Sequence, residues 1–132
     1  MADKKYYYST GSRKTANVTL RLYEGSGVST INGKPATELY PLATSQSKLY
    51  KPFAIAELVA KDFYFTAKAN GGGTNAQLEA IDLAIARAII LINPELRKQL
   101  KKAGFLKRDP RMVERKKPGH LKARKSEQFS KR

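Results

Sequence analysis

Residues able to do chemistry are few in this chain, and they fall into three groups. The first is a scatter of titratable side chains. The single histidine, His120, stands between Gly119 and Leu121. A general base needs a partner that fixes its tautomer and orientation, and nothing around His120 supplies one, so contact with RNA suits it better than catalysis. Among the carboxylates, Glu79 and Asp82 are the nearest pair on one helix face. At that spacing they could share a cation, sit on a solvated face, or pair with a neighbouring Lys or Arg. There is no cysteine, which removes disulfides, thiolate metal sites and cysteine nucleophiles. Ligands at zinc-finger spacing are absent as well. This inventory predicts no catalytic residue, no metal and no cofactor.

The second group is Gly71-Gly72-Gly73, just ahead of a helical pattern. Backbone N–H groups there, with a helix dipole behind them, make an anion seat. The stretch lacks the Gly-Lys-Ser/Thr of a P-loop and the spacing of a dinucleotide fingerprint. It reads equally well as a flexible strand-to-helix turn. If an anion does bind, the basic chain favours an RNA phosphate over a nucleotide substrate.

The third group carries most of the charge. Residues 105–132 hold eleven Lys/Arg against three acids, Asp109, Glu114 and Glu127. The net charge of +15 is uneven: residues 1–96 contribute +3 and residues 97–132 contribute +12. Beyond Leu106 there is neither helical nor strand periodicity. Alone, such a segment cannot bury enough apolar surface to offset the entropy of ordering it. Phosphate would order it, because each Lys or Arg set on a phosphate releases condensed counterion. Pro110, Pro118 and Gly119 disfavour a continuous helix, and 28 residues could extend about 90 Å. Phe129, among charges near the chain end, has no core to join and could stack on a base. An arm of that length on a small core suits a folded RNA particle better than a duplex. No helix here reads as a major-groove reader. A membrane surface fits poorly, since no apolar run is long enough to span a bilayer and the arm has no apolar face. The polar start, MADKKYYYSTGSRK, does not read as a secretory signal, which leaves the cytoplasm as the expected compartment.

The elements that must position these groups form one domain over residues 1–104, with residues 105–132 as an extended basic tail. Lys4–Thr10 reads as an extended lead-in and Gly11–Lys14 as a turn. Ala16–Tyr23 alternates Val18, Leu20 and Leu22 against Asn17, Thr19 and Arg21, a half-buried strand. Val28–Ile31 is a short return strand, and Asn32-Gly33 is the favoured type I′ pair. Pro35 confines the residues around it to an edge or loop. Ala36–Tyr40 forms a helical turn and Leu42–Ser47 a polar connector. A helix runs from Tyr50 to Lys61, with Pro52 in its first turn and Phe53, Ala56, Val59 and Ala60 facing inward. Phe63–Ala69 is a third main strand. Leu78, Ile81, Ile85, Ala88, Ile89 and Ile92 mark a long amphipathic helix. Asn93-Pro94-Glu95 starts another, whose face is Leu96, Leu100 and Ala103 and which Gly104 ends. Phe53, Phe63 and Phe65 fit the core, and Phe105 packs where the last helix ends. The fold class is α+β: a two-layer α/β sandwich with one sheet face covered.

These residues carry a family likeness. In order they are Thr10-Gly11-Ser12-Arg13-Lys14-Thr15, Gly25-Ser26-Gly27, Ile31-Asn32-Gly33 and Gly71-Gly72-Gly73, followed by Gln77, Ala80-Ile81 and Arg87-Ala88. Lys102-Ala103-Gly104-Phe105-Leu106, Arg108-Asp109-Pro110-Arg111, Val113 to Gly119, Lys122-Ala123-Arg124-Lys125 and Gln128 to Arg132 complete the series. The chain resembles, over essentially its whole length, the bacterial form of the small-subunit ribosomal protein nine family. That resemblance implies a small mixed sheet with helices on one face and a left-handed βαβ crossover, a fold shared with galactokinase-type kinases. It implies a structural, non-enzymatic role in the head of the small ribosomal subunit. The partners implied are small-subunit rRNA, P-site tRNA and neighbouring head proteins, with no membrane and no small-molecule substrate. Carried over residue by residue, Ser130, Lys131 and Arg132 would meet the tRNA. The positions expected on rRNA are Arg13, Lys14, the turn Gly71, Gly72 and Gly73, then Lys107, Arg108, Arg111, Arg115, Lys116, Lys117, Lys122, Arg124, Lys125 and Phe129. Three departures stand out: Ser12 and Asp82 occupy positions usually held by arginine, and Ser126-Glu127 a site usually basic or proline-containing. Two rival classes are a free nucleic-acid chaperone using the same arm and a small-molecule kinase on the same fold. The kinase lacks its catalytic Asp and Lys near the glycine turn.

Overall fold

A computed structural model describes residues 5–56, 62–108, 110–112, 114–126 and 128. The order is β1 (Tyr6–Arg13), β2 (Ala16–Glu24), β3 (Thr30–Ile31), β4 (Lys34–Pro35), α1 (Ala36–Leu39), α2 (Ala43–Ile55), β5 (Phe63–Asn70), α3 (Thr74–Ile92), a 3-10 turn (Pro94–Leu96) and α4 (Arg97–Ala103). The strands form one sheet in the order β1-β2-β5-β3-β4. All pairings are antiparallel except β3 with β5. The helices cover one face, as expected for a two-layer α+β domain.

The alternation in β2 and β5 sets which face is covered. Val18, Leu20 and Leu22 of β2 and Phe65, Ala67 and Ala69 of β5 are buried. Against them lies α3, whose buried set is wider than the predicted stripe: Ala76, Ala80, Leu83, Ala84 and Ala86 join Leu78, Ile81, Ile85, Ala88 and Ile89. The reason is that α2 packs on a second side of α3, so the helix is enclosed from two directions. Ile92, at its end, is only half-buried.

The first strand corrects the sequence reading. Gly11, Ser12 and Arg13 are not a turn but continue β1, and the chain reverses at Lys14-Thr15. Gly11 is needed because α3 crosses β1 here at closest approach. A Cβ at this position would press into the Ala80 carbonyl oxygen and lie 2.9 Å from the Ala84 nitrogen. Two residues earlier, the Ser9 hydroxyl donates to the Ala84 carbonyl at 2.6 Å.

The second helix is also corrected. It begins at Ala43, so the polar connector is its first two turns, and Pro52 lies well inside it instead of in its first turn. Its buried face is Leu49, Pro52 and Phe53. Phe53 stacks on the half-buried Phe63 with ring centroids 5.6 Å apart. The expected inner residues Val59 and Ala60 lie outside the described residues.

Turn chemistry is closer to expectation. Asn32 and Gly33 both take positive φ, as a type I′ hairpin requires. The Asn32 amide also accepts from the Ala69 N–H at 2.9 Å and donates to the Ala69 carbonyl at 3.0 Å. A side chain thus extends the β3–β5 ladder where the backbone has turned away. Asn93 caps the next turn by accepting from the Glu95 N–H. Gly104 closes α4 at φ 85°. Its N–H donates to the Lys101 carbonyl, and that of Phe105 to the Leu100 carbonyl, both at 3.1 Å. These are the paired bonds of a Schellman cap. Phe105 and Leu106 then pack against the core beside the buried Leu100, while Ala103 is exposed.

Candidate nucleic-acid interface

Three stretches far apart in sequence converge at one end of the sheet. The first is the β1–β2 reversal. Lys14 sits in the left-handed region at φ 54°, a conformation that costs a non-glycine residue about 1 kcal/mol or more, and its side chain is exposed. The second is the glycine turn, which the β2–β5 register brings alongside by pairing Asn17 with Asn70. Gly71 and Gly72 have positive φ, and a Cβ on Gly71 would lie 2.5 Å from the Thr15 carbonyl oxygen. The Gly72 N–H donates to the Thr15 hydroxyl at 3.0 Å, and the Gln77 amide donates to the Gly71 carbonyl. The turn is therefore built against the hairpin, and one of its three N–H groups is already committed. Gly73 precedes α3 with no side-chain cap and no acid in the first turn.

The third stretch is the root of the basic segment. Arg108 donates from Nε to the Ser12 hydroxyl at 2.7 Å and from a terminal nitrogen to the Lys14 carbonyl at 3.3 Å. A guanidinium thus lies beside Ser12, although residue 12 is itself uncharged. Arg13 points the other way, under α3. It is only 8% exposed, pairs through Nε with Glu79 at 2.5 Å, and donates to the Arg111 carbonyl. Arg13 therefore ties strand, helix and basic segment together. Of the alternatives open for the Glu79/Asp82 pair, Glu79 takes the one that pairs it with arginine.

Asp82 takes none of them. It lines a cavity of about 180 Å³ with Ser12, Arg13, Glu79, Phe105, Lys107 and Arg108. Its Oδ1 is buried and has no hydrogen-bond partner. Burial pushes this carboxyl up to about 8; Glu79 adds to the rise, while Lys48 and Lys51 of α2 oppose it. Asp82 is thus a neutral acid at neutral pH, kept beneath the attachment point of the basic segment. Its place three residues from Glu79 gave no sign of this, because what buries it comes from other elements.

Among the described residues beyond Phe105, Lys107, Arg111, Arg115, Lys116, Lys117, Lys122, Arg124 and Lys125 are exposed. Part of this segment folds on itself. Arg124 makes a two-pronged pair with Glu114 at 2.9 and 2.7 Å, and Lys117 approaches the same carboxylate at 3.7 Å. Together they hold the Glu114 carboxyl below its usual range, the Arg124 hydrogen bond and charge leading. Backbone bonds join Leu121 to Lys125 and His120 to Lys117, and His120 bridges Ser126. No group of three or more His, Asp and Glu able to hold a metal ion occurs among the described residues, and none of their helices is long and apolar enough to cross a membrane. Phe129, Ser130, Lys131 and Arg132, expected to meet RNA, lie outside the described residues.

The chain matches the family model described as ribosomal protein S9/S16 over residues 11–132. It is 45% identical over 130 residues to the small ribosomal subunit protein uS9 of Maridesulfovibrio salexigens, covering 98% of this chain and 99% of that one.

Proposed function

Since the chain belongs to the ribosomal protein S9/S16 family, and is thus a structural, non-enzymatic protein of the small ribosomal subunit that works on the ribosome, we propose that residues 1–104 seat it on rRNA of the subunit head while residues 105–132 run on as a basic arm. The observation that supports this reading most is the convergence of the Lys14 turn, the Gly71–Gly73 turn and the root of the basic segment at one end of the sheet. Phosphate-sized anions meet a concentrated positive field there, with Lys14, Lys107 and Arg108 nearest and Gly73 offering its backbone N–H. Arg13, buried and paired with Glu79, adds little net charge and serves to hold the root of the basic segment in place. Along the arm, Arg111, Arg115, Lys116, Lys117, Lys122, Arg124 and Lys125 take rRNA phosphates; these contacts position the protein and carry no base specificity. Glu114 holds Arg124 and Lys117 until phosphate replaces it. Phe129 stacks on a base, and Ser130, Lys131 and Arg132 reach the backbone of P-site tRNA. The helical connection between the parallel strands β3 and β5 is left-handed, and neighbouring head proteins cover the remaining edges.

The test is a chain lacking Ser130 to Arg132. Subunits should assemble normally, and tRNA should leave the P site about tenfold faster or more, the expected loss for removed charge-assisted hydrogen bonds. Unchanged tRNA dissociation would refute the tRNA contact. Loss of the intact protein from small subunits at high salt would refute the embedded rRNA seat, since general polycation binding is what salt removes.

A further inference from the structure

We propose that the uncovered face of the sheet is a second RNA-binding surface, where an unpaired base stacks on Tyr8 and flanking phosphates meet Arg21 and Lys68. The inference rests on the ribosomal reading above and adds a surface that neither the glycine turn nor the basic arm uses.

Strand alternation places one residue in two on this face, and the registers define its rows. Tyr6, Tyr23 and Tyr64 form one row across β1, β2 and β5, and Tyr8, Arg21 and Thr66 the next. Thr30 of β3 extends the second row. Thr10, Thr19 and Lys68 make the third, and Ser12, Asn17 and Asn70 the fourth. The rows on β1, β2 and β5 hold tyrosines, two cations, hydroxyls and amides, with no carboxylate and no aliphatic side chain, and Pro35 of β4, opposite Thr30, continues the second row.

The aromatic groups are not equivalent. Tyr23 and Tyr64 stack on each other at 5.0 Å, and Gly27 lies against the Tyr64 ring. Tyr6 carries the Arg21 guanidinium 5.0 Å from its centroid. Tyr8 is 51% exposed and has no ring partner among the described residues. Beside it a groove of about 290 Å³ is lined by Tyr8, Thr19, Arg21, Thr30, Asn32 and Lys68. Arg21 and Lys68 stand diagonally across neighbouring strands, about 8 Å apart at the backbone. A base on an exposed ring at the sheet edge, with two cations inward of it on the next two strands, suits the way sheet surfaces and single-strand binders take RNA, because every base has a π-face. A protein partner fits less well. Tyrosine and arginine suit protein interfaces as well, but Lys68 does not, and the rows on β1, β2 and β5 offer no aliphatic anchor.

The test uses the full chain and transcribed small-subunit rRNA, with affinity measured across a salt series. Tyr8→Ala should weaken binding about 5- to 100-fold, and Tyr8→Phe, which keeps the ring, should not. Arg21→Gln with Lys68→Gln should reduce the slope of log K against log salt by about 1.4. Lys122→Gln with Lys125→Gln in the arm is the control for the parent reading. If the arm variant loses slope while the face variants bind as the unaltered chain does, the rRNA reading stands and this inference falls. If neither set changes binding, both fall. Face variants that keep RNA affinity but lose a protein neighbour in reconstituted subunits make the face a protein contact and overturn the inference. Ultraviolet cross-linking of the unaltered chain to the rRNA removes any dependence on variants. Nucleotide adducts on the peptide bearing Tyr6 and Tyr8 support the proposal, and adducts confined to peptides beyond Phe105 refute it.

Discussion

Replacing Asp82 with asparagine should stabilise the protein at neutral pH and leave it unchanged near pH 5. The native carboxyl is held up to about 8, against 3.8 for the ordinary group. Between those values the folded chain keeps a proton that the unfolded chain releases, so stability falls as pH rises through this window. The slope is up to about 1.4 kcal/mol per pH unit. At pH 7 the accumulated penalty is about 4 kcal/mol, and at pH 5 about 2 kcal/mol. Below about 3.8 both states are protonated and the penalty vanishes; above about 8 the native group ionises too and the penalty levels off. Asparagine does not titrate, but its NH2 brings two donors into the cavity where the neutral acid has a single O–H, a cost of about 2 kcal/mol. The net gain is therefore about 2 kcal/mol at pH 7 and close to nothing at pH 5, which in a chain of this size moves Tm by roughly 6–8 °C and by nearly zero. Urea or thermal unfolding of both proteins at unit steps from pH 5 to 8 measures the difference, in which all shared titrating groups cancel. Parallel curves across that range would refute the placement of Asp82 as a buried neutral acid.

Three further perturbations probe other parts of the structure. Gly11→Ala should cost about 3 kcal/mol or abolish folding, since the new methyl meets the α3 backbone and not a side chain that could yield; an unfolding midpoint within 1 °C of the parent would contradict that packing. Asn32→Ala should cost about 2 kcal/mol for the two lost bonds to Ala69, and amide exchange at Ala69 should quicken; unaltered exchange there would count against the side-chain ladder. Arg124→Gln should let the Glu114 carboxyl rise toward its ordinary range, because the Arg124 pair is the leading cause of its depression; a carboxyl resonance titrating as before would exclude the pair.

What the sequence conveyed depended on how each element is buried. β2, β5 and α3 were legible because one face of each meets the core, and alternation or helical spacing records it. The second half of β1 was misread because Gly11-Ser12-Arg13 has the composition of a turn, whereas the glycine answers to the α3 backbone 69 residues on. α2 was half-read because its first turns, Thr44-Ser45-Gln46-Ser47, are polar and its Pro52 resembles a helix start, while only Leu49, Pro52 and Phe53 are buried. At the candidate interface, residue types were legible and their company was not. Nothing local shows that Arg108 would reach Ser12, that Arg13 would turn inward to Glu79, or that Arg124 would close on Glu114 ten residues back. The tyrosine face was written in the alternation of residues 6–12, 17–23 and 64–70, but its meaning depends on knowing which strands are neighbours.

The crossing at Gly11 also decides how the first hairpin can pair. The covered positions of β1 are Tyr7, Ser9, Gly11 and Arg13, a set with almost no aliphatic content to specify register. Sliding the strand by two residues would preserve the alternation of faces and leave the hydrophobic pattern indifferent. It would bring Ser9 or Arg13 under the Ala80 carbonyl, where no Cβ fits. A single absent methyl therefore selects one alignment from a series that apolar burial leaves degenerate. Every row of side chains that crosses from β1 to β2, on both faces, inherits its order from that gap.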